Sequence, residues 1–248
     1  MNIKSAIKKS RTADALLSFI YPHRCPICDG ALPVGEHGIC PGCIDKIRYV
    51  REPFCMKCGR PLDEEAEYCE LCTDSHREFD AGRSACLYDR YIRQSIIKFK
   101  YYGRQEYADS YADMILYSQG DFIRSVHPDV LVPVPIHKKR MDERHYNQAA
   151  LIADSLSEKS CIPSLDDLLV RERFTRRQKD LNREERRKNL KGAFKVNKKY
   201  KLLNQIPESV MIIDDILTTG STLDECSFAL KEAGVENVYY IVLSCGKL

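Results

Sequence analysis

Two adjacent carboxylates, Asp214 and Asp215, end an apolar run and are followed within a few residues by Thr218-Thr219-Gly220-Ser221-Thr222. Acids at that point, then small hydroxyl residues, make a cradle for a sugar phosphate. Backbone N–H groups at a helix N-terminus attract phosphate, and a glycine lets the backbone approach closely. The elements that must hold these groups are legible around them. Val210 to Ile213 is continuously apolar, which predicts a parallel-sheet strand covered on both faces. Its carboxyl end is the edge at which open α/β sheets bind ligands. Apolar spacing from Leu223 to Ala233 predicts a helix with Gly234 as its C-cap, and Val238 to Leu243 reads as another buried strand.

A second chemistry lies near the N-terminus. Of the twelve cysteines in the chain, eight form four Cys-x-x-Cys pairs: Cys25/Cys28, Cys40/Cys43, Cys55/Cys58 and Cys69/Cys72. The repeated knuckles suit tetrahedral thiolate ligation, and zinc fits them better than an iron–sulfur cluster because Pro26, Gly42 and Gly59 suit knuckle turns. Eight thiolates accommodate two zinc ions. Sequential pairing and a cross-brace are both open at this stage. The other four cysteines read as core.

Charge separates this region from the rest. Between Arg24 and Asp80 there are seven Lys/Arg and twelve Asp/Glu, a net of minus five. Nucleic-acid-binding fingers carry the opposite sign, so the module is expected to be structural or to dock a partner. The 21 residues from Arg171 to Lys191 carry ten cations and four anions, a net of plus six in a chain whose total is only plus three. That segment reads either as a solvated charged surface or as an anion-binding loop. A further helix over Tyr91 to Lys100 would bury Ile92, Ser95, Ile96 and Phe99 and leave Lys98 and Lys100 outward. Tyr88, Tyr91, Phe99, Tyr101 and Tyr102 interleave there with Arg90, Arg93, Lys98, Lys100 and Arg104, the mixture of rings and cations that single strands use. Upstream of the acids, Val130 to Pro135 predicts a short strand whose prolines exclude a fully hydrogen-bonded interior position. It leads into a loop with His137, Lys138 and Arg140, and a helix opens over Arg144 to Gln148 and runs to about Ser157.

The run from Val210 to Thr222 resembles the 5-phosphoribosyl-1-pyrophosphate (PRPP) motif of phosphoribosyltransferases. The resemblance implies that Asp214 and Asp215 hold the ribose 2- and 3-hydroxyls. It also implies that Leu217, Thr218, Thr219, Gly220, Ser221 and Thr222 wrap the 5-phosphate, and that Mg²⁺ arrives with the ligand. His137, Lys138 and Arg144 would lie on the pyrophosphate side, and the basic segment falls where that family has a hood loop. The order of the multi-cysteine module, the Val-Pro-Val-Pro-Ile run, Arg144-His145-Tyr146-Asn147-Gln148, the basic segment and the PRPP motif resembles the ComF family of competence-associated phosphoribosyltransferase-like proteins. That family usually has glycine where His145 stands. The resemblance implies a role in DNA uptake beside a helicase-like partner, and the two basic stretches themselves offer Lys98, Lys100, Arg183, Arg186 and Arg187 as candidate single-stranded DNA contacts.

The sequence thus predicts an α/β protein with a type I phosphoribosyltransferase-like, mostly parallel sheet flanked by helices over 81–248. A zinc-binding module is expected over 21–80 and an N-terminal tail or helix over 1–20. No apolar run approaches the roughly 20 residues needed to cross a bilayer, so a cytoplasmic location without a membrane span is expected. Function divides between a PRPP- and Mg²⁺-binding DNA-uptake protein, an active transferase of a small-molecule acceptor, and a PRPP-sensing regulator.

Overall fold

In the computed structural model, residues 22–63, 66–173, 185 and 189–247 are described. The expectations for the N-terminal tail and for Arg183, Arg186 and Arg187 lie outside them. The sheet is built from β1 (Ala81–Leu87), β2 (Val130–Pro133), β5 (Ser209–Leu217) and β6 (Asn237–Cys245) in the order β1-β6-β5-β2, all parallel. A separate antiparallel pair joins β3 (Leu169–Arg171) to β4 (Phe194–Val196). This is the α/β architecture the sequence predicts, with an N-terminal cysteine-rich module. β5 and β6 lie in the middle, and their unbroken apolar runs are what a strand covered on both faces requires. β2 carries Pro133 at the sheet's edge, where a missing N–H costs no ladder bond.

Alternation along β5 divides the core into two. Val210 and Ile212 point to one face with Leu223, Cys226 and Leu230 of helix α8 (Ser221–Lys231), which follows the short α7 (Lys198–Leu202), and with Phe194 and Leu169. Met211 and Ile213 point to the other, where α3 (Arg90–Tyr101), α4 (Tyr107–Val126) and α6 (Gln148–Ser160) pack. Helix α3 buries Ile92, Ser95, Ile96 and Phe99, the face its sequence period predicts, and Asp89 caps it by accepting from the N–H groups of Tyr91 and Ile92.

The cysteine module straddles the free edge of the sheet. Its first half contains the short helix α1 (Pro41–Ile44) and its second half α2 (Glu70–Thr73). The link between the halves runs along β1: Val50 N–H donates to the Ala85 carbonyl at 3.0 Å and Leu87 N–H to the Arg48 carbonyl at 2.8 Å. An otherwise open strand edge is thereby covered. Cys25 and Cys43 join the core on one face of the sheet, Cys55, Cys58 and Cys69 that on the other. Gly59 sits against β1 so closely that a Cβ would lie 2.4 Å from the Gly82 carbonyl oxygen, and a Cβ on Gly82 would lie 2.1 Å from the Tyr240 ring. Only glycine fits at either position.

Two expectations change. Of the four cysteines read as core, Cys161 is exposed, because it caps the C-terminus of α6 in a left-handed conformation, whereas Cys86, Cys226 and Cys245 are buried. The loop predicted after β2 is a short helix, α5 (Lys138–Arg144), capped by His137, whose Nδ1 accepts from the Lys139 N–H at 3.2 Å. Lys, Arg and Met favour helix once a cap is present, and the prolines end at residue 135. The predicted helix after Arg144 begins at Gln148, where Asn147 Oδ1 accepts from the Ala149 N–H at 3.1 Å. Among the described residues no helix is long and apolar enough to cross a membrane.

Candidate functional site

Asp214 and Asp215 fall on opposite faces of β5 because successive side chains alternate. Asp215, only 8% exposed, turns toward α3 and forms an ion pair with the ammonium of Lys100. Asp214 faces α8 and β3, with its Oδ1 accepting from the Asp215 N–H at 2.9 Å. Burial, then the charge of Asp215, pushes the Asp214 carboxyl up to about 8, and Lys100 pulls in the other direction. Of the two carboxylates, Asp215 is the one that meets a cation directly.

The strand then turns. Gly220 takes φ +83°, a region that disfavours side chains, and a Cβ there would sit 3.2 Å from Arg77 Nη1. The Thr219 and Ser221 hydroxyls bond each other at 2.9 Å. Helix α8 starts at Ser221 with no side-chain cap from Gly220, and a helix N-terminus of that kind suits an anion.

Opposite this turn stand cations. A cleft of about 210 Å³ is lined by Asp214, Asp215, Leu217, Thr218, Gly220 and Thr222 on one side, and by Lys100, Arg140, Arg144, Gln148 and Arg171 among others on the remaining walls. Arg144 donates to Gln148 Oε1 at 2.9 Å and to the Tyr101 hydroxyl at 3.0 Å, and its guanidinium lies 4.9 Å from the centre of the Tyr101 ring. Burial, then the neighbouring Arg140, lowers Arg171 to about 10. The clustered positive charge would be relieved by a polyanion.

Of the residues expected on the pyrophosphate side, Arg144 lines the cleft, His137 caps α5 and Lys138 is exposed. Lys98 pairs with Asp29 at 3.3 Å, and Lys100 with Asp215, which places both ammonium groups in ion pairs. Sequence reasoning missed Lys100, Gln148 and Arg171 as cleft residues, and within the pyrophosphate-side loop from His137 to Arg140 it singled out His137 and Lys138 where Arg140 lines the cleft. Nothing in the sequence pairs Lys100 with an acid 115 positions away (215 − 100). Arg171 carried a signal only as a member of a basic run.

Asn147 and His145 explain the turn between α5 and α6. Asn147 Nδ2 donates to the Val134 carbonyl at 3.0 Å, tying the helix to the end of β2. His145 takes φ +66°, the left-handed conformation that a glycine would adopt without strain.

The eight thiolates form two tetrads, Cys25/Cys28/Cys40/Cys43 and Cys55/Cys58/Cys69/Cys72, with the sulfurs of each within 4.8 Å of one another. Pairing is therefore sequential. A tetrahedron of zinc–sulfur bonds of about 2.3 Å has an edge of about 3.8 Å. Cys28 and Cys40 sulfurs are 3.8 Å apart, and those of Cys58 and Cys69 are 3.6 Å apart. Backbone N–H groups of Gly30, Cys40 and Cys58 donate to Cys28, Cys25 and Cys55 sulfurs at 3.4 to 3.5 Å, which supports thiolates rather than thiols. Both tetrads fit structural zinc.

Residues 16–73 match the family described as "Double zinc ribbon domain". Over 220 residues the chain is 33% identical to Competence protein F of Haemophilus influenzae, covering 87% of this chain and 93% of that protein. It is 29% identical over 213 residues to Competence protein ComFC of Bacillus subtilis, covering 80% of each, and 27% identical over 220 residues to DNA utilization protein YhgH of Escherichia coli K12, covering 88% and 94%. Among solved structures, the glutamine PRPP amidotransferase of B. subtilis matches at 17% identity and a TM-score of 0.38, over 59% of this chain and 30% of that one.

Proposed function

Since the chain belongs to the competence protein F family, we propose that it acts in DNA uptake as a PRPP- and Mg²⁺-binding protein that also binds single-stranded DNA. One observation carries the PRPP part: two carboxylates at a strand end, an uncapped helix N-terminus reached through Gly220, and Lys100, Arg140, Arg144 and Arg171 all face one cleft. Asp214 and Asp215 accept from the ribose hydroxyls. The turn from Thr218 to Thr222 donates to the 5-phosphate. Arg140, Arg144 and Arg171 answer the pyrophosphate, with Arg144 held in place by Tyr101 and Gln148. Carboxylate and phosphate oxygens are the hard donors that Mg²⁺ takes, and the ion supplies charge neutralisation to the pyrophosphate when bound. The DNA part rests on family membership and on the basic segment that leaves β3 at Arg171.

Transfer to an acceptor is a second reading, favoured by the three arginines. As the acceptor's lone pair bonds to carbon 1, the bond from carbon 1 to the pyrophosphate oxygen breaks and its electron pair leaves on pyrophosphate, where positive charge stabilises it.

Fluorescence anisotropy of a labelled single-stranded oligonucleotide, with and without PRPP and Mg²⁺, tests the proposal. Binding that PRPP alters supports a coupled role. No binding in either condition refutes the DNA part and leaves the small-molecule transferase as the better reading.

A further inference from the structure

The second zinc ribbon reaches the phosphate turn directly. Arg60 follows Cys58 by two residues, and its own carbonyl closes the knuckle by accepting from the Cys55 N–H at 2.8 Å. Its guanidinium, 3% exposed, leaves the ribbon and bridges two carbonyls at the ends of adjacent strands: Nη1 donates to Gly246 at 2.6 Å and Nη2 to Thr218. Thr218 is the first residue of the turn. A planar fork holds two acceptors in fixed relation, which a point charge does not.

Arg77 makes a second strut. It follows α2, is 8% exposed, and donates through Nη2 to the carbonyl of Leu71, between the ligands Cys69 and Cys72, at 3.2 Å. Its Nη1 lies 2.5 Å from Asp224 Oδ2, in the first turn of α8. Asp224 is an acid beside an anion site, and unpaired it would repel phosphate. Arg77 cancels that charge and underlies Gly220. Neither buried guanidinium would be tolerated without these bonds, so ribbon and turn each hold the other in place. The first ribbon has a different attachment: Asp29 accepts from the Tyr107 hydroxyl at 2.6 Å and pairs with Arg104 and Lys98 on the far face of the sheet.

We infer that Arg60 and Arg77 are positioning residues for the phosphate turn, and that metal at Cys55/Cys58/Cys69/Cys72 reaches the cleft through them, whereas metal at Cys25/Cys28/Cys40/Cys43 does not. The inference rests on the reading of Thr218 to Thr222 as a phosphate site. A zinc ribbon on this account sets the shape of a small-molecule pocket.

The test is hydrogen exchange by mass spectrometry on the full zinc-loaded chain, paired with calorimetry of PRPP and Mg²⁺. Arg60→Met and Arg77→Met should keep both zinc ions, exchange faster in peptides spanning 217–224 than the wild type, and bind PRPP about tenfold more weakly, as expected for a lost charged hydrogen bond. Arg60→Lys should recover part of the protection, since it keeps charge and reach but not the fork. Cys72→Ser should loosen the same peptides and Cys28→Ser should not. Unchanged exchange over 217–224 in Arg60→Met and Arg77→Met, or equal loosening by the two cysteine variants, overturns the inference. Should the wild type bind no PRPP, the phosphate reading falls, and the exchange data still decide whether the ribbon holds the turn.

Discussion

Asp214 is expected to cost the fold stability in return for its place in the cleft, and Asp214→Asn measures that cost. Burial and the neighbouring Asp215 raise its carboxyl from 3.8 to about 8. Between those values the native chain keeps a proton that the unfolded chain has released, so stability falls as pH rises through this window and levels off above it. Each decade of proton affinity is worth about 1.4 kcal/mol, which sets a ceiling of roughly 5 to 6 kcal/mol. Asparagine keeps the shape and cannot ionise. In urea melts of the zinc-loaded protein, the variant should therefore be more stable than the wild type at pH 9 by several kcal/mol, up to that ceiling. About half of that difference should be present at pH 6, with the rest appearing by pH 8. Comparing the two proteins at each pH removes the contribution of the zinc thiolates, which both share. A variant less stable than the wild type at pH 9, or a gap that does not grow between pH 6 and pH 8, refutes the reasoning.

Further outcomes follow from the same geometry. Lys100→Met leaves the 8% exposed Asp215 without its partner and should cost about 3 kcal/mol; adding Asp215→Asn should return most of it, and strict additivity in that double-mutant cycle would exclude the pair as a stabilising unit. Metal analysis should find about two zinc ions per chain, with Cys28→Ser and Cys58→Ser each removing one; iron, or loss of both ions in either variant, would contradict two independent tetrads. His145→Gly relieves a φ of +66° and should raise the melting temperature by about 2 °C, so a lower melting temperature would show that the histidine ring contributes more than its backbone costs.

Much of the cleft was legible because local patterns carried it. The apolar run before Asp214, the glycine at position 220 and the period of α3 each report one element's own environment, and the structure keeps Ile92, Ser95, Ile96 and Phe99 on the inner face. The four knuckles announced two metal sites, but the pairing of knuckles depends on how the module folds across β1, so spacing alone left it open. What the sequence hid was contact between distant elements. Lys100 reads as an outward cation by helix period, yet the end of α3 lies over β5 and its ammonium meets Asp215. Arg60 and Arg77 sit in an acidic, cysteine-rich stretch where nothing local suggests a phosphate turn more than 140 residues away (218 − 60, 224 − 77). His137 looked like a loop ligand because the prolines before it suggested an extended segment; its ring instead caps α5, a role histidine seldom advertises.

On the proposed function, the cleft between β5 and α5 binds PRPP. Isothermal titration calorimetry of PRPP with Mg²⁺ into the zinc-loaded chain tests it directly, alongside Asp215→Asn and ribose 5-phosphate as a ligand lacking the pyrophosphate. The wild type should bind PRPP saturably and ribose 5-phosphate more weakly, and Asp215→Asn should lose PRPP binding while its melt stays cooperative. No heat of binding with wild-type protein, or undiminished affinity in Asp215→Asn, would contradict it.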